Sequence, residues 1–103
     1  MADGVNAVRL SGRLLEIGPL RQTPAGIALI EFRLVHASEI LEAGTLREVR
    51  AEVDAVAFEA LARLLADRPL DAALTVEGFL CARSRRSSRL VVHATKIEFS
   101  EGV

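Results

Sequence analysis

The sequence predicts an all-β fold, a five-stranded barrel with one short helix between the third and fourth strands. Three observations predict it. Five runs alternate apolar and polar residues with period two, which sorts side chains onto the two faces of a strand. One run changes to spacings of three and four, the helical period. Gly and Pro fall mostly between the runs, where a chain that reverses direction needs them.

The first run, Asn6 to Ile17, sets Val8, Leu10, Gly12 and Leu14 against Arg9, Ser11 and Arg13. Gly18-Pro19 breaks it, and Thr23-Pro24-Ala25-Gly26 supplies a tight turn. The second run, Ile27 to Val35, sets Ile30, Phe32 and Leu34 against Glu31 and Arg33, and a loop around Glu42-Ala43-Gly44-Thr45 follows. In the third run Val49, Ala51, Val53 and Ala55 oppose Glu48, Arg50, Glu52 and Asp54, so one face is charged and wet. From Ala57 to Ala66, Phe58, Leu61, Leu64 and Leu65 recur at helical spacing, which predicts about three turns closed by Arg68-Pro69. Strand periodicity returns at Leu74 to Leu80 and at Leu90 to Phe99, joined by Arg83 to Arg89. A helix inserted between the third and fourth of five antiparallel strands is the arrangement of the OB-fold, a Greek-key barrel. Its exposed second and third strands, with the loops joining strands 1–2 and 4–5, are where a ligand is expected.

Composition bounds the function. A chain of 103 residues, half of them apolar, fits one domain over residues 1–103. No apolar run reaches the roughly 20 residues of a bilayer span, and the acidic Met1-Ala2-Asp3-Gly4 start is not a secretory signal. The single Cys81 forms no internal disulfide, which fits a reducing cytoplasm, and it is expected as a buried strand residue. The formal net charge of −1 runs against the basic balance common among nucleic-acid binders. Positive charge therefore matters only where it is gathered.

It gathers at Arg83-Ser84-Arg85-Arg86-Ser87-Ser88-Arg89, four Arg and three Ser with no acid among them. Guanidinium groups pair bidentately with phosphate, and hydroxyls add hydrogen bonds to the same oxygens. The competing reading is a solvated hairpin whose charge only blocks edge-to-edge strand pairing. Arg47 and Arg50, with Arg33 and Arg21, extend a second basic track across the barrel face. Against this, Arg50 is expected either to pair across strands with Glu31 or to be flanked by Glu48 and Glu52. Stacking aromatics are few. There is no Trp or Tyr; Phe32 and Phe58 fall in core registers, while Phe79 and Phe99 fall out of phase. His36 and His93 stand alone on strands, no phosphate-cradling Gly loop or nucleophile motif is present, and no catalysis, metal or cofactor is expected.

Several stretches resemble a known family. Asn6-x-Val8-x-Leu10-Ser11-Gly12-Arg13 and Thr23-Pro24-Ala25-Gly26-Ile27 are similar to the opening of the single-stranded-DNA-binding protein superfamily. Phe32-x-Leu34-x-His36-x-Ser38, Glu42-Ala43-Gly44 followed by Arg47, Val76-x-Gly78-Phe79, and Val92-His93-Ala94-x-x-Ile97-Glu98 resemble the primosomal replication protein N (PriB) family within it. The resemblance runs from Asn6 to about Phe99. It implies a cytoplasmic, nucleoid-associated homodimer of the replication-restart primosome that binds single-stranded DNA and contacts the helicase PriA and the loader DnaT. The family's DNA-contacting loop would fall on Arg83, Arg85, Arg86 and Arg89, in a shorter loop, with further basic positions at Arg21 and Arg47. Where that family has aromatic residues, this sequence has Thr45 and Arg50, so phosphate contacts are expected to dominate. The other reading is an OB module that holds a helicase or loader with little DNA affinity, which the near-neutral charge favours.

Overall fold

A computed structural model describes residues 3–100. Its elements are β1 (Val8–Ile17), β2 (Arg21–Gln22), β3 (Ala28–Glu42), β4 (Thr45–Phe58), α1 (Ala60–Leu65), β5 (Ala73–Ala82) and β6 (Leu90–Phe99). The short β2 pairs only with the start of β3. The other five strands close a barrel in the order β1-β5-β6-β4-β3, with β3 returning to β1. The closure uses β1 twice: Val8 to Arg13 face Gly78 to Ala73 of β5, and Arg13 to Ile17 face Val35 to Phe32 of β3. A register shift between Leu14 and Glu16 bends the strand across that change of partner.

The barrel is not wholly antiparallel, as the sequence reading had it. β4 and β6 run parallel at Ala55↔Val92 and Val56↔His93. Up–down alternation cannot close a ring of an odd number of strands, so one junction has to be parallel.

Inward positions follow the period-two pattern. Leu14, Ile30, Phe32, Leu34, Ala55, Ala57, Leu74, Val76, Val92 and Ile97 are buried, and Ala62 and Leu65 of α1 plug one end. Each large aliphatic or Phe side chain so buried contributes about 1.5–3 kcal/mol. The helix is shorter than the expected span of residues 57–66, at under two turns. β4 continues its alternation through Phe58, which pairs with Leu29. Glu59 then takes a left-handed φ of 56° and clamps the junction. Its N–H donates to the Ala28 carbonyl at 2.8 Å, and its carboxylate accepts from the Ala28 N–H at 2.9 Å. Phe58 therefore points outward and is exposed, not in the core as its spacing suggested.

β3 and β4 pair along their whole length, from Leu29↔Phe58 to Glu42↔Thr45, and run beyond the barrel as a two-stranded arm. The expected loop is only the turn at Ala43 and Gly44, both with positive φ as a two-residue hairpin turn demands. Ile40, Leu41 and Leu46 are exposed near its tip. The far end of β5 behaves similarly. After a register shift between Glu77 and Gly78, residues Phe79 to Ala82 are all exposed. Cys81 is exposed with them, correcting its expected burial, because both faces of this strand end lie outside the barrel. Among the described residues no helix is long and apolar enough to cross a membrane.

Two glycines sit where strands cross closely. A Cβ on Gly78 would lie 1.9 Å from the His93 carbonyl oxygen, and one on Gly12 would lie 2.5 Å from that of Val35. Both neighbours are backbone, which yields only if the strands part. Gly78→Ala is expected to cost roughly 1–3 kcal/mol, read as a lowered urea midpoint. Gly4→Ala, with open space around it, should leave the midpoint unchanged. Equal midpoints for all three proteins would contradict this account of the crossing.

Candidate nucleic-acid interface

The outward residues of β3 and β4 are Glu31, Arg33 and Val35 on one strand and Glu52, Asp54 and Val56 on the other, with Arg33 directly opposite Asp54. The end of β1 and the base of the β5–β6 hairpin flank this face. Together they form a groove of about 370 Å³ whose charged lining is Glu16, Glu31, Arg33, Asp54, Arg83 and Arg89.

Asp54 is the hub of the groove, its side chain four-fifths buried. Arg33 donates Nε–H to Oδ1 at 2.8 Å, and Arg89 donates from Nη2 to Oδ2 at 3.2 Å. Arg83 Nη1 lies 3.7 Å from the same Oδ2. Glu31 forms the second node, accepting from Arg21 Nη2 at 2.9 Å and lying 3.6 Å from Arg83 Nη2. A continuous chain results: Arg21, Glu31, Arg83, Asp54, and then Arg33 and Arg89. Glu16 and Glu52 stand 3.8 and 3.9 Å from Arg33 on its other side. The hydrogen bond from Arg33 holds the Asp54 carboxyl below the usual carboxylate range, assisted by the charges of Arg33, Arg89 and Arg83 and opposed by burial. The same hydrogen bond raises the Arg33 guanidinium.

The eight arginines read from the sequence therefore divide by place. Arg33, Arg83 and Arg89 meet in the groove, and Arg21 lies outside its lining and reaches it only through Glu31. Arg85 and Arg86 sit in the loop beyond it and make no ion pair among the described residues. That loop is braced by its own backbone, with Arg83 N–H to Arg89 O at 2.9 Å and Ser87 N–H to Ser84 O at 3.2 Å. The Ser87 hydroxyl accepts from Arg89 N–H at 3.0 Å, so this serine is committed to the loop. Arg47 and Arg50 lie on the arm. Arg47 contacts Glu42, an exposed pair worth at most about 1 kcal/mol. Arg50 faces Ala37, whereas Glu31 faces Val56, so the expected Arg50–Glu31 pair does not exist. Of Glu48 and Glu52, which flank it on its own strand, Glu52 turns to Arg33.

The residues that sequence reasoning left without a role are the carboxylates. Glu31 and Asp54 occupy ordinary wet-face positions and carry no local signal, since their partners lie up to 52 positions away in the chain. His36 is structural: Nδ1–H donates to the Ser11 carbonyl at 2.8 Å, and Nε2 meets the Ser38 hydroxyl at 2.8 Å. Among the described residues no three His, Cys, Asp or Glu side chains converge as metal ligands.

Asp54 gives a pH test. Its folded carboxyl ionises below the ordinary value of 3.8, so its contribution to stability is complete above that value. The contribution disappears as pH falls through the folded value. Asp54→Asn should destabilise the protein by roughly 1.5 kcal/mol at pH 7, the low end for a charged hydrogen bond. In urea titrations the gap to wild type should narrow below about pH 4. A gap independent of pH would contradict the assignment.

Comparison with known proteins places this geometry. Residues 6–96 match the model of a family described as another single-strand binding protein family. The replication restart protein PriB of Bordetella pertussis is 45% identical over 89 residues, covering 86% of this chain and 83% of that protein. The solved PriB of Ralstonia solanacearum superposes with a TM-score of 0.83 at 28% identity, over 93% of this chain and 98% of that one. A deletion mutant of the single-stranded DNA binding protein from Thermus aquaticus superposes with a TM-score of 0.79 at 28% identity, over 99% of this chain and 53% of that one. A closed five-stranded barrel of OB type, matched along nearly its whole length by these proteins, shows that the chain belongs to the PriB family of single-strand binding proteins.

Proposed function

We propose that this protein binds single-stranded DNA as an accessory, non-catalytic subunit of replication restart. Its arginines track the phosphate backbone from the groove onto the strand-connecting loop. One observation carries the reading: Arg33, Arg83 and Arg89 converge on one groove, with Arg21 joined to its edge through Glu31 and Arg85 and Arg86 uncommitted beside it, in a chain of net charge −1. Arg47 and Arg50 continue the track along the arm. A phosphate entering the groove takes the place of the exposed Glu31 at Arg83, while Asp54 keeps the guanidinium groups in position. Family membership and the relatives themselves, replication restart and single-stranded DNA binding proteins, support the DNA-binding and replication-restart parts of this reading. We further propose, as the family resemblance implies, a cytoplasmic homodimer paired through its first strands near the exposed Val5, holding the helicase PriA and the loader DnaT.

The committed arginines and the apolar arm tip favour one other reading, a module that holds a helicase or loader with little affinity for DNA. Fluorescence anisotropy of a labelled oligo-dT, titrated at several salt concentrations, decides between them. Affinity is expected to fall with salt by about 0.7 in log–log slope for each phosphate engaged. Changing Arg83, Arg85, Arg86 and Arg89 together to Ala should weaken binding and flatten that slope by up to about 3. Arg63→Ala, on α1 and away from the groove, should change neither. A flat titration alongside capture of a helicase selects the second reading.

A further inference from the structure

The two carboxylates at the nodes of the groove are held very differently. Asp54 is four-fifths buried and accepts a hydrogen bond of 2.8 Å from Arg33. Glu31 projects from the outward face of β3 with its side chain 44% exposed. Among the described residues its only polar partners are two guanidinium groups. Oε1 accepts from Arg21 Nη2 at 2.9 Å, and Oε2 lies 3.6 Å from Arg83 Nη2. The second distance is too long for a hydrogen bond, so that contact is coulombic and loose.

The two cations come from different parts of the fold. Arg21 belongs to the connection from β1 to β3, and Arg83 opens the connection from β5 to β6. Between them lies a seat for an anion, and in the free chain a carboxylate fills it. Glu31 and Arg83 both line the charged groove and also a smaller depression of about 170 Å³, so their contact is open to solvent from two sides. Exposed pairs of this kind are weak and yield to salt. Glu31 is nevertheless tethered to the site, so its local concentration does not fall on dilution and every ligand has to displace it. A phosphate bound beside an unmoved Glu31 would also meet its negative charge.

We propose that Glu31 is an internal competitor of the phosphate backbone: it occupies Arg21 and Arg83 in the free protein and lowers their affinity for the strand. The inference rests on the DNA-binding reading and adds to it a residue that opposes binding. A Glu31 that served the site, by holding both arginines in place for the ligand, would give the opposite sign on its removal.

Fluorescence anisotropy of a labelled oligo-dT with wild type, Glu31→Gln and Glu31→Ala reads that sign. Gln keeps the shape and removes the charge, whereas Ala removes both. Each variant is expected to bind about threefold to tenfold more tightly than wild type at about 50 mM salt, the range that loss of two exposed ion pairs spans. The gain should shrink as salt rises past about 0.15 M, where charges more than about 8 Å apart are screened. Glu98→Gln removes the same charge from β6, where its partner is Lys96, and should leave affinity unchanged. It separates local competition from net charge, and thermal midpoints read in parallel confirm the fold of each variant. Unchanged or lowered affinity in a folded Glu31 variant, or an equal gain in Glu98→Gln, would overturn the competitor and leave the phosphate track standing. Binding by neither wild type nor any variant would remove the DNA-binding reading and this inference together.

Discussion

The barrel is sealed by one strand. β1 spends its first half on β5 and its second half on β3, so the sheet has no free edge only while that exchange holds. The exchange is fastened at Leu14. Its side chain is buried, its N–H donates to Ala72 at 2.9 Å, and its carbonyl accepts from Asp71 N–H at 2.7 Å. Both partners belong to the connection after α1, so the plug of the barrel and its seam are tied at Leu14, with Arg13 adding a bond to the Asp71 carbonyl at 3.0 Å. The charged groove inherits this arrangement. The bend after Leu14 carries Glu16 toward Arg33, and Gly18 N–H is fixed to the Glu31 carbonyl at 2.8 Å.

The charged groove is then a matter of what the seam brings together. A guanidinium alone on a strand face is free to sample several rotamers, and fixing it costs entropy. Around Asp54 three of them are held by one carboxylate, which orders the cations before any ligand arrives. The more exposed contacts, such as that of Arg83 with Glu31, are individually weak and yield to a stronger anion. Near-zero net charge is thus compatible with an anion site. Asp54 holds its arginines in position.

What could be read from the sequence follows from how many environments each residue sees. Alternation was plain in β1, in the first half of β3 and in the second half of β4, where one face meets the core and the other meets water. It vanishes in Ser38-Glu39-Ile40-Leu41-Glu42, since both faces of the arm are wet, and the sequence pattern therefore ends the strand near Val35. The end of β5 misled in the same way and placed Cys81 inside. Phe58 fits helical spacing with Leu61 and Leu65, but its pairing with Leu29 and the reversal at Glu59 outweigh that local pattern. The arginine-rich loop was legible because composition alone marks it. Its carboxylate partners depend on strand register, which no local window contains.

The arm leaves a mechanical consequence. Its backbone ladder is continuous with the barrel, yet beyond Ala37↔Arg50 it has water on both sides and no packed layer beneath it. Amides near the Ala43-Gly44 reversal exchange through local fraying, while those at Ile30 and Phe32 exchange only when the whole core opens. One pair of strands therefore spans two regimes of stability. The pliant end can mould itself to a neighbour's contour without disturbing the spacing of the arginines at its rigid root.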